Sequence, residues 1–391
     1  MSDPAAADSV NLIFNVDAIT QPLTGIGRYA LRLAQGLKDH SAITNVRYFS
    51  AYQWIDDPQN ALDSNRFVAF MRRHVPTKRL AMRAYFVARQ QVLNSLARQY
   101  DDYVLHSPNY LLFEHNGPRV CTVHDLSWMH FPNYHPVERV DIMRRRMPRT
   151  LEIADMVVTD SEFVRREVID LFSIDPLRVR AVPLGVDSAF RPRTAAETQT
   201  ALAALGVRHG TYLLALATLE PRKNLGRLLD AYEGLGPALR QRYPLVLAGA
   251  KGWRAQGLVD RIDRLASRNE AIRLGFVSEE TLPHLLAGAR ALAFPSIYEG
   301  FGLPPLEAMA SGVPVVASVA SSIPEVTGDA ALLVDAQDVE GLREALEVAL
   351  TDETWRADAS ARGIARARRF RWQACVDATV QIYREVAARR Q

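Results

Sequence analysis

The chain has 391 residues, 48% hydrophobic and 23% charged, which is ordinary for a soluble globular protein and long enough for two domains. Its formal net charge of +3 does not indicate nucleic-acid binding, and its two cysteines provide neither a disulfide framework nor a metal cluster. The N-terminus lacks a signal-peptide pattern and no apolar run reaches the length of a membrane span, so a cytoplasmic protein is expected.

The first half opens as a strand, a glycine-rich turn and a helix. Residues 10–16 form an apolar run, and Gly25 and Gly27 then open a helix that extends through Leu37. This order is typical of a Rossmann-like start, although an ordinary tight turn would show the same Gly-x-Gly pattern. The third glycine is missing and no acidic residue closes a second strand, so a dinucleotide is not expected.

Two basic segments follow, in which arginines alternate with apolar residues. The first spans residues 66–100 and is predicted to be mostly helical, and the second is a helix around residues 139–149. Their basic residues are Arg72, Arg73, Lys78, Arg79 and Arg83, then Arg139, Arg144, Arg145, Arg146 and Arg149. A solvated face that pairs with local acids explains this pattern, and peripheral contact with an anionic membrane surface is the sharper alternative.

A polar pair ends one of the strands of the first half. Strands are predicted at residues 103–106 and 119–123, and the second runs into His124 and Asp125. Open α/β sheets bind ligands at the carboxyl ends of their parallel strands, so His124 is a candidate site residue, with a structural histidine as the alternative. Ser161 then caps a helix over 161–172, and residues 178–182 form the last strand of this half.

The second half alternates strands and helices more regularly. Strands are predicted at residues 211–217, 245–248, 272–274, 291–294, 314–318 and 331–334. Helices are predicted at residues 224–236, 257–267, 279–288, 303–310 and 338–350. The alternation indicates a doubly wound parallel sheet, preceded by a linker over 188–197 and followed by a helical segment over 353–390 that is broken near Trp372.

Two carboxylates bracket a strand-to-helix loop in this half. Glu299 lies before the loop and Glu307 inside the helix that follows it. Between them the sequence reads Gly300, Phe301, Gly302 and Leu303, and then two prolines. Prolines suit a first helical turn, and the loop amides with the helix dipole favour an anion. Both glutamates can accept hydrogen bonds from sugar hydroxyls, whereas a helix cap with two solvated glutamates is the alternative.

Arg222 and Lys223 form a second candidate anion site. They follow the first strand of the second half, at the predicted start of a helix. Two cations at a helix start favour a bound anion. No Asp-x-Asp pair occurs in the sequence, so no carboxylate pair for a divalent cation is expected. No cofactor is expected either.

Together these elements resemble the retaining GT-B glycosyltransferases of family 4. The specific match is the Glu-x7-Glu from Glu299 to Glu307, with Gly-Phe-Gly-Leu-Pro after the first glutamate. Further family elements are matched in the right order at residues 124–125, 183–187, 220–224, 275–277 and 321–326. Many members carry an additional phosphate-binding arginine where this chain has Ala217 or Thr218. A sugar-nucleotide epimerase or dehydrogenase would share the glycine-rich turns, but the two bracketing glutamates argue against both.

The resemblance implies a role for each candidate residue. His124 would contact the donor sugar and its developing charge, and Lys223 with Arg222 would bind the diphosphate. Glu299 and the amides of residues 300–302 would hold sugar hydroxyls, and Glu307 the ribose. The remaining donor-binding residues are Leu303, Val277 beside the nucleobase, Gly25 and Gly27.

It also implies the architecture and the reaction. We expect an α/β protein with two Rossmann-like domains facing a cleft: an acceptor domain over 1–187 and a donor domain over 188–371. Residues 372–391 would form a helix that returns to the first domain. The enzyme would move a hexose or deoxyhexose, mannose or rhamnose first, from a nucleotide diphosphate sugar, GDP-linked first, with retention and without metal.

The implied acceptor is a hydroxyl of a growing, lipid-linked surface polysaccharide. A UDP-glucose or dTDP-rhamnose transferase of the same fold is one alternative. A non-catalytic subunit that binds a nucleotide sugar is the other, and the presence of His124, Lys223, Glu299 and Glu307 together disfavours it.

Overall fold

A computed structural model describes residues 9–62, 79–250 and 256–390 of the chain. The chain divides into two compact domains. The first runs to Gly185, apart from Asn133–His135, and includes the C-terminal segment from Trp372. The second comprises Val186–Arg371 together with Asn133–His135. The expected boundaries were residues 187 and 371, so the observed division falls two residues earlier at the first and coincides at the second.

The first domain contains a seven-stranded sheet in the order β3-β2-β1-β4-β5-β6-β7. Its strands are β1 Val10–Asn15, β2 Ile43–Ser50, β3 Gln53–Ile55, β4 Val104–Ser107, β5 Arg119–Val123, β6 Met156–Thr159 and β7 Val179–Ala181. All neighbours pair in parallel except β3, which runs antiparallel to β2 at the edge. The central strands are buried at nearly every residue, because helices cover both faces of a doubly wound sheet.

The helices of the first domain include the helix capped by Ser161 and the C-terminal helix. Their bounds are Gly25–Lys38, Arg79–Leu96, Ser127–His130, Val137–Ile153, Glu162–Phe172 and Trp372–Ala388. The hydroxyl of Ser161 accepts the Val164 amide hydrogen at the start of Glu162–Phe172, which confirms the cap read from the sequence. The C-terminal helix buries one face, including Cys375, Thr379 and Tyr383, within the first domain.

The second domain contains a six-stranded, all-parallel sheet in the order β10-β9-β8-β11-β12-β13. Its strands are β8 Leu213–Leu216, β9 Leu245–Ala248, β10 Ala271–Gly275, β11 Ala291–Phe294, β12 Val315–Ser318 and β13 Ala331–Val334. The strand order reverses between β8 and β11. Ligands of such sheets bind at the carboxyl ends of the strands beside that reversal, so the loops after β8 and β11 are the expected binding loops.

The helices of the second domain correct the linker prediction. Their bounds are Ala195–Ala204, Leu225–Glu233, Pro237–Arg242, Gln256–Ala266, Leu282–Ala287, Leu303–Ala310, Ile323–Thr327, Val339–Thr351 and Glu353–Ala367. The linker over 188–197 was wrong at its end, because Thr194 and Glu197 form a reciprocal capping box that starts a helix at Ala195. Within the described residues, no helix is long and apolar enough to cross a membrane.

Candidate active site

An ion triad joins the two loops at the reversal point of the second sheet. Glu299, in the loop after β11, accepts a hydrogen bond from Lys223 Nζ at 2.6 Å and another from Arg222 Nη1 at 3.1 Å. The three side chains are only 11 to 14% exposed. Burial alone would raise the pKa of Glu299, but the two cations outweigh burial and lower it. The carboxylate is therefore ionised and holds both basic groups at neutral pH.

Backbone contacts fix the loop that carries the two cations. Arg222 Nη1 donates to the Tyr298 carbonyl at 2.7 Å, and the Ile297 amide donates to the Arg222 carbonyl at 3.0 Å. Arg222 and Lys223 lie in a short 3-10 turn, and the helix begins only at Leu225, so their expected place at the helix start needs this correction. Asn224 separates turn from helix at a left-handed φ of 58°.

The loop between the two glutamates needs glycine at one position. Gly302 has a φ of 120°, which L side chains rarely adopt, and directly precedes helix Leu303–Ala310. Pro304 and Pro305 follow Leu303 in this helix. Because proline has no N–H, neither can donate a hydrogen bond to an anion, although the helix dipole still favours one here. Within the described chain, the amides of Phe301, Gly302 and Leu303 donate to no backbone carbonyl. They are therefore the amides available to a ligand at this turn.

Three other predicted donor-binding residues lie in the same domain. Counted as whole residues, Glu307 is 3% exposed and Glu299 is 8% exposed, so the alternative of two solvated glutamates is excluded. The ring of Phe301 is buried edge-on against Phe370 with centroids 5.8 Å apart, so this residue can serve a ligand only through its backbone. Val277 follows β10 and is half-buried.

His124 directly follows β5 of the first domain, and both of its ring nitrogens have hydrogen-bond partners. Its Nδ1 lies 2.8 Å from Asp160 Oδ2, and its Nε2 lies 2.8 Å from the Pro108 carbonyl oxygen. The rings of Tyr29 and Tyr110 meet the imidazole edge-on, with centroids 5.1 and 5.6 Å away. Both ring nitrogens are thus engaged by the protein itself. Sequence reasoning missed Asp160, although it directly follows β6, the strand next to β5.

A second buried layer connects this region with the C-terminal helix. His106 Nδ1 lies 2.6 Å from the Tyr383 hydroxyl, and His106 Nε2 lies 2.9 Å from the Thr122 hydroxyl. Thr122 in turn lies 3.0 Å from the Tyr29 hydroxyl. Burial lowers the pKa of His106 to about 3, so this histidine is neutral. The C-terminal helix therefore contributes the Tyr383 hydroxyl to this buried polar network.

In the glycine-rich turn of the first domain, Gly27 already has contacts within the protein. The Gly27 amide donates to the Thr24 hydroxyl at 3.1 Å, which caps helix Gly25–Lys38. A Cβ at Gly27 would lie 2.9 Å from the Ala18 carbonyl oxygen, so glycine is required by the close approach of the preceding loop. Gly25 is the first helical residue. The turn thus has a structural reason for Gly27, separate from any contact with a donor.

Comparison with known proteins identifies the family. The models of Glycosyltransferase Family 4 and of Glycosyl transferases group 1 match residues 23–190 and 206–368. The chain is 39% identical over 384 residues to O-antigen chain mannosyltransferase B of Escherichia coli, covering 96% of this chain and 100% of that protein. It is 30% identical over 257 residues to D-inositol 3-phosphate glycosyltransferase of Nocardioides sp., covering 61% of this chain and 56% of that protein.

Solved structures show the same fold at low sequence identity. Sucrose-phosphate synthase from Thermosynechococcus elongatus superposes with a TM-score of 0.72 at 19% identity, covering 98% of this chain and 100% of that one. A glycosyltransferase from Rickettsia africae superposes with a TM-score of 0.70 at 14% identity, covering 97% and 99%. The family models, the full-length relative and the fold together show that the chain belongs to the GT-B glycosyltransferases of group 1 and family 4.

Proposed function

We propose that the chain transfers mannose from GDP-mannose to a hydroxyl of a growing surface polysaccharide, with retention at the anomeric carbon. The observation that carries the proposal is the buried Arg222–Glu299–Lys223 triad at the reversal point of the donor-domain sheet. The full-length similarity to O-antigen chain mannosyltransferase B supports the choice of sugar and acceptor class.

In this proposal the bound donor replaces contacts within the triad by contacts with the donor itself. Lys223 and Arg222 bind the diphosphate, whose charge replaces part of their interaction with Glu299. Glu299 and the amides of residues 301–303 then bind sugar hydroxyls. Glu307 binds the ribose, and Val277 lies beside the nucleobase. The buried setting strengthens each of these contacts because few waters compete with them.

The leaving phosphate takes the acceptor proton in the proposed mechanism. The bond between the sugar C1 and the phosphate oxygen breaks, and the acceptor oxygen bonds to C1 on the same face. The hydroxyl proton passes to the departing phosphate, so no protein base is needed. This fits the carboxylates near His124, because Asp160 is engaged by the histidine and Asp125 Oδ1 accepts from Ser127. Asp160 is also only 4% exposed, so it is closed to an acceptor hydroxyl that would need a base for inversion.

Nucleotide binding tests the donor assignment. We expect GDP to raise the melting temperature more than UDP, dTDP or ADP do at equal concentration, since a ligand that binds only the folded state stabilises it. EDTA should leave the GDP shift unchanged, because Arg222 and Lys223 rather than a metal neutralise the phosphates. A larger shift with UDP or dTDP would reassign the donor. A GDP shift that depends on added Mg²⁺ or Mn²⁺ would contradict the metal-independent site.

We also propose that the first domain makes peripheral contact with an anionic membrane surface that presents a lipid-linked acceptor. On helix Val137–Ile153, Arg139 and Arg144 have no ion-pair partner among the described residues, and exposed Arg145 has only a weak pair with Asp141 at 3.9 Å. Two other arginines are engaged locally: Arg146 stacks on Phe86 and Arg149 pairs with Glu114. The predicted residues Arg72, Arg73 and Lys78 lie outside the described residues, as do the side chains of Arg79 and Arg83.

Co-sedimentation with anionic vesicles tests this contact. Each basic residue near such a surface contributes about 1 kcal/mol, so changing Arg139, Arg144 and Arg145 together to serine should weaken binding by roughly 100-fold at low salt. Arg149→Ser is the matched control, since Arg149 is already paired. If the unmodified protein stays in the supernatant at low salt, the acceptor is presented without membrane contact by this domain.

A further inference from the structure

The hydrogen bonds of His124 restrict where its protons are. The Pro108 carbonyl can only accept, so Nε2, which lies 2.8 Å from it, must carry a hydrogen. Nδ1 lies 2.8 Å from a carboxylate oxygen, so one further proton lies between His124 and Asp160. The question is whether that proton belongs to the imidazole or to the carboxyl group.

The surroundings favour a charged imidazole. The titratable groups around the pair are Tyr29, His106, Tyr110, Asp125, Cys375 and Tyr383. Burial raises the pKa of the three tyrosines and of Cys375, so all four are neutral at pH 7. His106 is neutral too. Arg139 interacts electrostatically with Tyr110. Asp125 is left as the extra carboxylate, and its charge favours a cation at His124.

The carboxylate of Asp160 depends on His124 for its own stability. Asp160 is 4% exposed, and its second oxygen, Oδ1, has no hydrogen-bond partner among the described residues. A buried carboxylate with one partner is costly unless that partner carries a positive charge. Burial by itself would lower the pKa of His124, but Asp160, the Pro108 carbonyl and Asp125 together raise it above its ordinary value.

We propose that Asp160 is a positioning residue that keeps His124 doubly protonated. The charged ring then donates to Asp160 and Pro108 at once. These hydrogen bonds link the carboxyl ends of three neighbouring strands, because Pro108 follows β4, His124 follows β5 and Asp160 follows β6. This inference rests on the proposed glycosyl transfer. Within that reaction, His124 acts as a fixed positive charge and a fixed support for the loop after β4, and it does not transfer a proton.

A spectroscopic experiment on the unmodified enzyme tests the charge state without any turnover. Side-chain ¹⁵N spectra of the histidines should show one imidazolium, protonated on both nitrogens, that persists above pH 7. His124→Gln should remove that signal and so assign it. A His124 that is neutral at pH 7 would overturn the proposal, whatever the donor or the acceptor proves to be.

The variant Asp160→Asn tests the functional consequence. An asparagine amide can donate to Nδ1 while Nε2 still donates to Pro108, so the shape is kept and the charge is lost. The charged form exists below the pKa of His124 and disappears as the pH rises through it. Since the variant lowers that pKa, the loss of kcat/KM at high pH should begin about one pH unit or more earlier. At pH 8 the defect should be about tenfold larger than at pH 6.

Glu167→Gln is the matched control, because Glu167 also pairs with a histidine of the same domain. Its Oε1 lies 2.7 Å from His130 Nε2. It should leave the pH profile of kcat/KM unchanged. A purely structural role for Asp160 predicts a loss of activity that is equal at every pH, and that outcome would overturn the proposal. If Asp160→Asn does not fold, the spectrum of the unmodified enzyme decides the question alone.

Discussion

Replacing Lys223 with alanine should lower kcat/KM by roughly 30- to 1,000-fold, or about 2–4 kcal/mol of transition-state stabilisation. Lys223 Nζ is mostly buried and lies 2.6 Å from Glu299, so it is held in place before any ligand arrives. In the proposed reaction, a preorganised cation of this kind would stabilise the negative charge that grows on the departing diphosphate. Alanine would also leave Arg222 as the remaining partner of the Glu299 carboxylate in this triad.

Lys38→Ala is the matched lysine control. Lys38 is 53% exposed and pairs with Asp57 at 3.2 Å in the first domain, so its removal should change kcat/KM by less than twofold, as expected for a surface ion pair. A loss below about tenfold for Lys223→Ala would contradict the diphosphate role and leave Lys223 as a structural partner of Glu299.

Replacing Glu299 with glutamine should separate product binding from turnover. Glutamine has the same shape but no charge, so Arg222 and Lys223 would no longer be neutralised in the empty site. We expect GDP to bind about tenfold more tightly, because its phosphates would no longer compete with a carboxylate. Turnover should nevertheless fall roughly 30-fold or more, since sugar hydroxyls lose a charged acceptor that is most valuable in the transition state.

Glu307→Gln provides the comparison within the same loop and helix. Glu307 is also buried, but it is proposed to bind the ribose, so its change should weaken GDP binding while affecting kcat less. Isothermal titration with GDP and steady-state kinetics with the sugar donor measure both quantities. The partner exchange proposed for Glu299 is wrong if both variants weaken GDP binding to the same extent.

The donor loop could be predicted because its information is local. The glycines, prolines and bracketing glutamates of residues 299–307 lie within one strand-to-helix connection. Helix Leu303–Ala310 and strand β11 appear in the structure where the sequence pattern placed them. Strand β2 and helix Pro237–Arg242 were missed. The helix at Ala195 was also missed, although the Thr194-x-x-Glu197 box that starts it could be read from the sequence.

The contacts of Glu299 with Lys223 and of Asp160 with His124 could not be predicted from the sequence. Glu299 and Lys223 are 76 residues apart and meet because β8 and β11 are neighbours, a consequence of strand order rather than of either loop. Asp160 and His124 meet for the same reason across β5 and β6. A polar residue at the end of each strand was visible, but the pairing of ends requires the sheet topology. This is why Lys223 and Glu299 were each recognised while their ion pair was not.

Anomeric analysis of the product provides the most direct test of retaining transfer from a nucleotide diphosphate sugar. The enzyme is incubated with GDP-mannose labelled at C1 and a saccharide acceptor in the presence of EDTA, and the product is examined by NMR. We expect GDP release that matches glycosidic bond formation, and a new linkage with the anomeric configuration of the donor. An inverted linkage, or GDP release with no saccharide product, would contradict the proposed reaction.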